Sequence, residues 1–165
     1  MRNKIVERSE LVQRLSNGSV NAGEMVLAGG CFDLFHVGHL DYLEEAAALG
    51  RPLIVGINSD ESVIRVKQRA PLFPAFERCR IVAALHAVDY VFIFGEDNLC
   101  TSLELLRPSL FVKGVDYRDR DFPERETGMR IGCEIRCLGS SKAASSSILS
   151  DKLFERHRPD PDPGS

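Results

Sequence analysis

Two rhythms of apolar and polar positions alternate along the chain. Short, nearly continuous apolar runs at "MVLAGG" (25–30), "PLIVGINSD" (52–60), "YVFIFG" (90–95), "LFVKG" (110–114) and "EIRCL" (134–138) predict five strands. Between them apolar residues recur three and four apart, the helical spacing. One helix runs from about His39, with Leu40, Leu43 and Ala47 on one face, to Gly50. A helical turn at "DESVIRVK" with Asp60 as its cap precedes "QRAPLFPAF", whose two prolines make it a loop. Helix resumes at about Phe76 with a stripe of Ile81, Leu85 and Val88. Leu99, Leu103 and Leu106 mark another, stopped by Pro108, residues 124–131 a weakly patterned one, and 145–155 the last. Before the first strand, Ile5, Val12 and Leu15 stand among charges and predict a short surface helix over 5–16 that "SNGS" ends, so that 1–24 reads as an N-terminal helical appendage. The Pro- and Asp-rich end, 156–165, reads as a disordered tail.

Four of the five strands are apolar without alternation, as in strands buried on both faces, and regular strand-helix alternation requires parallel crossovers. The fold expected is a Rossmann-like, doubly wound α/β domain with a five-stranded parallel sheet. At 165 residues it fits one domain. Ligands in such sheets bind beyond the carboxyl ends of the strands, where strand order reverses.

Composition narrows the function classes. A net charge of −3 gives no basic field for nucleic acid, so an anionic ligand has to be held by local groups. No apolar run approaches the roughly 18 residues of a membrane span. The N-terminus has no stretch of signal-peptide character, which points to the cytoplasm. The five cysteines lack a paired C-x-x-C, and in "CEIRC" the spacing puts Cys133, Ile135 and Cys137 on one face of a strand, favouring core packing over metal ligation.

Two of only four histidines fall within "GGCFDLFHVGH" (29–39), where the first strand gives way to a helix. The i, i+3 spacing of His36 and His39 puts both imidazoles on one face of the first turn, beside unpaired backbone amides and the positive end of the dipole. That combination suits an anion. Gly38, like Gly29 and Gly30 at the strand end, removes a side chain where a phosphate would press on the backbone. The plainer alternative has His36 packed under the loop and His39 capping the helix. A metal site lacks a third ligand close in sequence.

The segment "GGCFDLFHVGH" closely resembles the H-x-G-H signature of the nucleotidyltransferase superfamily, which joins a nucleoside triphosphate to a phosphorylated acceptor and releases pyrophosphate. The resemblance runs from about residue 5 to 155, with 25–155 as the nucleotidyltransferase domain. It is closest to D-glycero-β-D-manno-heptose 1-phosphate adenylyltransferases, through "LIVGINSDESV", "ERCRIVAALHAVDYV", "LRPSLFVKGVDY" and the serine cluster. It implies that His36 and His39 stabilise charge on the α-phosphate during in-line displacement, with Lys67 and Arg78 as the accompanying catalytic cations. Lys67 could equally be a solvated surface charge, while for Arg78 the motif favours function over that alternative. No general base is needed, because the acceptor is a phosphate already ionised at neutral pH. The resemblance further implies nucleotide contacts from Gly29, Gly30, Cys31, Phe32, Asp33, Gly38, Lys113, Gly114, Asp116 and Ser145, Ser146 and Ser147. Asp33 orients the histidine loop or makes an Asx-turn; Asp116 meets ribose hydroxyls or caps a turn; the serines hold the β- and γ-phosphates or simply cap a helix.

ATP is the expected nucleotide, bringing Mg²⁺ held by phosphate oxygens and water rather than by a protein cage. A sugar 1-phosphate, a heptose above all, is the expected acceptor, and relatives suggest a homodimer. Relatives often carry a fused sugar kinase, for which this length has no room. The resemblance is imperfect: Ala28-Gly29 stands for Thr-Asn, Ala70-Pro71 for Arg-Pro and Val115 for a second glycine, with Arg69 available to replace the displaced arginine. The charged loop 117–126 is read as surface rather than as a cover for the acceptor. The rival enzyme is a cytidylyltransferase acting on glycerol 3-phosphate or another polyol phosphate; the rival of another class is a catalytically silent nucleotide-binding module.

Overall fold

The computed structural model describes residues 3–49 and 52–139. In chain order these form α1 (Arg8–Ser16), β1 (Val26–Gly30), α2 (Val37–Ala47), β2 (Leu53–Asn58), α3 (Asp60–Lys67), α4 (Ala75–Ala83), β3 (Tyr90–Phe94), α5 (Cys100–Leu106), β4 (Leu110–Gly114), α6 (Pro123–Ile131) and β5 (Glu134–Leu138). All strand pairs are parallel and the sheet order is β3-β2-β1-β4-β5. The expected doubly wound five-stranded sheet is therefore present. Order reverses between β1 and β4, from which the chain leads outward in both directions.

The continuous apolar runs separate two cores. Leu27, Ile54, Phe92 and Phe111 face α1 and α5 through Leu11, Leu103 and Leu106. Val26, Ala28, Val55, Val91 and Val112 face α2 and α4 through Leu43, Ala46, Cys79 and Val82. The edge strand β5 is only half-buried, in line with its mixed sequence.

Three expectations need correction. Residues 3–24 are no appendage: Ile5 bridges to Val91, Val6 donates to the Val91 carbonyl at 2.9 Å, and Leu11 is fully buried in the first core. The helix over 75–83 does not bury Ile81, which is 41% exposed. Its inward face is Ala75, Arg78, Cys79 and Val82, because a buried arginine takes a position the apolar rhythm leaves to a hydrophobe. Asp60 does not cap α3; Ser59 does, its hydroxyl accepting from the Ser62 amide at 3.1 Å. The predicted helix over 145–155 and the tail over 156–165 lie outside the described residues.

Candidate active site

A cleft of about 380 Å³ opens at the carboxyl ends of the strands, over the fork between β1 and β4. Those two strands pair only as far as Ala28 and Val112. Tyr42 of α2 fills the fork, its hydroxyl donating to the Val112 carbonyl at 2.8 Å and accepting from the Gly29 amide at 3.4 Å.

From β1 the chain turns into α2 through a strained loop. Phe32 has φ 50°, a conformation that costs a residue with a side chain about 1–3 kcal/mol. Packing holds it there, since the ring is buried and meets His39 edge-on at 5.0 Å. His36 is the N-cap of α2, and its Nδ1 accepts from the Gly38 amide at 3.1 Å. An accepting Nδ1 carries no proton, so the neutral ring holds its proton on Nε2. That Nε2 is buried with no hydrogen-bond partner among the described residues, and so is the Nδ1 of His39. The two rings stack at 3.9 Å. Burial pushes His39 down to about 4, with the neighbouring His36 and Lys67 acting in the same direction. Burial also lowers His36, opposed by nearby Asp116. At neutral pH both rings are uncharged and retain unsatisfied polar atoms, a costly state that a ligand would relieve.

Cys31, Phe32, Gly38, Lys67, Lys113, Gly114 and Asp116 line this cleft with the histidines, Gly29 and Gly30. Lys67, the last residue of α3, is exposed on the His39 side. Lys113 pairs with Glu124 at 2.9 Å and lies over the rings of Tyr117 and Phe122 at 4.5 and 4.7 Å. The buried Glu124 also accepts from the Leu99 amide at 3.2 Å.

Other expected site residues make extensive contacts within the protein. Arg78 does not line the cleft: it is fully buried, donating to the carbonyls of Phe73 (2.9 Å), Cys31 (2.7 Å) and Asn58 (2.8 Å) and to Asp60 (2.7 Å). Asp33 is likewise buried, and its carboxylate makes no Asx-turn. It accepts from Leu72 and Phe73 amides and from Arg69 at 2.7, 3.2 and 2.9 Å, pinning the 69–73 loop to the histidine loop. Burial raises this carboxyl, but the Arg69 hydrogen bond and the two amides outweigh it and hold it below the usual range. Arg69 is thereby engaged away from the cleft lining. Gly29 and Gly30 both line the cleft. A Cβ on Gly29 would stand 2.2 Å from Leu99, and one on Gly30 3.1 Å from the Phe32 ring. The missing side chains thus make room for Leu99 and for Phe32.

Residues 27–147 match the family model described as cytidylyltransferase-like. The chain belongs to the cytidylyltransferase-like family. The bifunctional protein HldE of Campylobacter jejuni (strain RM1221) is 43% identical over 154 residues, 93% of this chain and 32% of that one. Its counterpart in Chromohalobacter salexigens is 35% identical over 152 residues, 92% of this chain and 32% of that one. The chain thus spans about a third, 32%, of the length of these curated relatives. Among solved structures, the lipopolysaccharide core biosynthesis protein of Thermoplasma volcanium superposes with a TM-score of 0.61 at 27% identity, covering 72% of this chain and 98% of that one. Pantothenate synthetase of Thermus thermophilus shares the fold, with a TM-score of 0.61 at 14% identity, covering 93% of this chain and 70% of that one.

Within this cytidylyltransferase-like chain Ser145, Ser146 and Ser147 fall outside the described residues. The 117–126 loop, read from sequence as surface, supplies Tyr117, Arg120 and Glu124 to the cleft wall. Tyr42 and Glu124 are not singled out as site residues by the sequence. A tyrosine at a helix position usually packs as a hydrophobe, and no local pattern marks one that ties two strands. Glu124 sits where an acidic residue normally just favours a helix start. Among the described residues, no three His, Cys, Asp or Glu side chains converge on a metal position, and no helix is long and apolar enough to cross a membrane.

Proposed function

We propose that this chain transfers AMP from ATP to a sugar 1-phosphate, D-glycero-D-manno-heptose 1-phosphate first among candidates, giving an ADP-sugar and pyrophosphate. The observation that carries the reading is the pair of buried, unpartnered imidazole nitrogens at the amino end of α2, in the cleft where the sheet's order reverses. Likeness to HldE proteins supports the adenylyl and heptose assignments, and the Thermoplasma relative's description supports a role in making lipopolysaccharide precursors.

In the reaction, an oxygen of the acceptor phosphate attacks the α-phosphorus of ATP. The new O–P bond forms as the bond from the α-phosphorus to the bridging oxygen breaks, and pyrophosphate leaves. The His36 Nε2–H donates to the oxygens on which negative charge grows, with His39 beside it and the amides of the first turn of α2 behind. Lys67 draws the acceptor toward His39. Mg²⁺ is expected to arrive with ATP. Held by phosphate oxygens and water, it would neutralise charge on the triphosphate.

The test is pyrophosphate release with each nucleoside triphosphate, Mg²⁺ and a panel of sugar and polyol phosphates. Turnover with ATP and heptose 1-phosphate is expected. Turnover with CTP and glycerol 3-phosphate but none with ATP overturns the reading in favour of a cytidylyltransferase.

A further inference from the structure

The ionised side chains lining the cleft are three cations, Lys67, Lys113 and Arg120, and three carboxylates, Asp97, Asp116 and Glu124. With both imidazoles neutral, the described part of the cleft has no net charge. Two phosphate-bearing reactants nevertheless have to meet in it. The deciding question is which cations are uncommitted.

Lys113 is committed. Its ammonium is paired with Glu124, and aromatic rings occupy the space around it. Drawing it onto a phosphate would strand a carboxylate whose side chain is 3% exposed, so the pair faces an uncharged part of a reactant more readily than an anion. Arg65 beside the cleft is bound to Asp97, Arg69 to Asp33 and Arg78 to Asp60. Lys67 and Arg120 remain, neither with a side-chain hydrogen bond or ion pair among the described residues. Lys67 acts from α3, close enough to His39 to lower its pKa. Arg120 acts from the segment after β4, where its backbone amide donates to the Tyr117 carbonyl at 3.3 Å. Its charge reaches the Tyr117 hydroxyl. The same wall carries Asp116, which repels an approaching anion unless a cation offsets it.

Building on the transfer reaction proposed above, we infer that Arg120 is a phosphate-binding residue of the cleft, holding a phosphate of one reactant opposite Lys67. A guanidinium suits the task because its planar fork engages two phosphate oxygens at once.

The experiment compares the full chain with R120Q and R120K. The side chain is exposed and unpaired, so both variants should keep the wild-type melting temperature. With ATP, Mg²⁺ and sugar 1-phosphate, R120Q should raise the KM of one reactant about 10- to 100-fold while kcat changes far less, and R120K should recover part of the loss. A rise confined to ATP assigns the residue to the triphosphate, and one confined to the acceptor assigns it to the sugar phosphate; either supports the inference. Unchanged KM for both reactants overturns it. Should the wild-type chain turn over none of the acceptors, the transfer reading fails separately, and calorimetric titration with inorganic pyrophosphate and Mg²⁺ then judges Arg120. Weaker binding by R120Q than by wild type supports the inference; equal binding, or none by either, overturns it.

Discussion

Arg78 separates what family resemblance implies from what the fold shows, and R78M is the variant that tests the difference. Methionine keeps an unbranched, largely apolar stem but removes a guanidinium satisfied by three carbonyls and Asp60. Each buried carbonyl left without its donor costs about 1–3 kcal/mol. Asp60 adds less, because its side chain is 39% exposed and regains water. Against these losses stands the desolvation of the guanidinium, which the variant no longer bears. Breaking one side of a buried charged network typically leaves a deficit of about 3–5 kcal/mol.

In a domain of this size each kcal/mol moves the melting temperature by about 2–4 °C, so R78M should melt about 6–20 °C lower. R78K should fall between the two, since an ammonium cannot reach carbonyls at the ends of β1 and β2 and in the 73 loop simultaneously. Calorimetry gives the melting temperatures, and turnover is measured well below them, where the variants remain folded. A melting temperature equal to wild type, with kcat reduced a hundredfold or more, would refute the positioning role and return Arg78 to direct contact with substrate.

H39A should fold, since the ring's buried nitrogen has no partner to lose, yet turnover should drop by about 100-fold or more, as for loss of a transition-state donor; pyrophosphate release checks it. His39 titrates at about 4 in the folded chain and near 6.5 unfolded, so its contribution is intact above pH 6.5 and declines as pH falls toward 4. The full shift would be worth about 3 kcal/mol, reduced to about 1–2 by solvent at the cleft mouth. Urea unfolding across that range should show a slope that H39Q flattens, and an unchanged slope counts against burial as the cause. G29A forces a Cβ to 2.2 Å from Leu99 and should cost about 1–3 kcal/mol, recovered in part when Leu99 is also cut to alanine. Equal destabilisation with and without Leu99 would rule out that clash.

The sheet was legible because β1, β2 and β4 are buried on both faces and so carry unbroken apolar runs, while the linking helices show their own rhythm. The histidine pair was legible because its spacing has a local meaning at a helix start. What escaped notice was nonlocal. Arg78 and Asp33 carry charges that sequence reading assigns to ligands, and only the fold shows carbonyls and amides from distant loops closing around them. The misread stripe in α4 has the same origin: an inward arginine breaks the apolar period, and Ile81 then looks like the buried residue. Gly29 and Gly30 line the cleft, and that a Cβ at either would meet Leu99 or Phe32 is visible only in the fold, since a missing side chain in a sequence does not say what lies beside it.

Asp33 and Arg78 converge on one residue, Phe73. Asp33 accepts from the amide of Phe73, and Arg78 donates to the carbonyl of the same residue. Through its other donors Arg78 also holds the Cys31 carbonyl, two residues before Asp33, while Asp33 extends to Leu72 and Arg69. The loop that carries Phe32 in a left-handed conformation is thus fastened at both ends to the 69–73 loop by buried charges that do not line the cleft. Apolar packing could supply comparable stability without desolvating a guanidinium and a carboxylate. Packing alone, however, does not fix the direction of an N–H bond. Donors that stabilise growing charge need to be held within a fraction of an ångström, and His36 Nε2 inherits its direction from this loop. On that reasoning the two buried charges serve geometry, holding the histidine loop from outside the cleft lining.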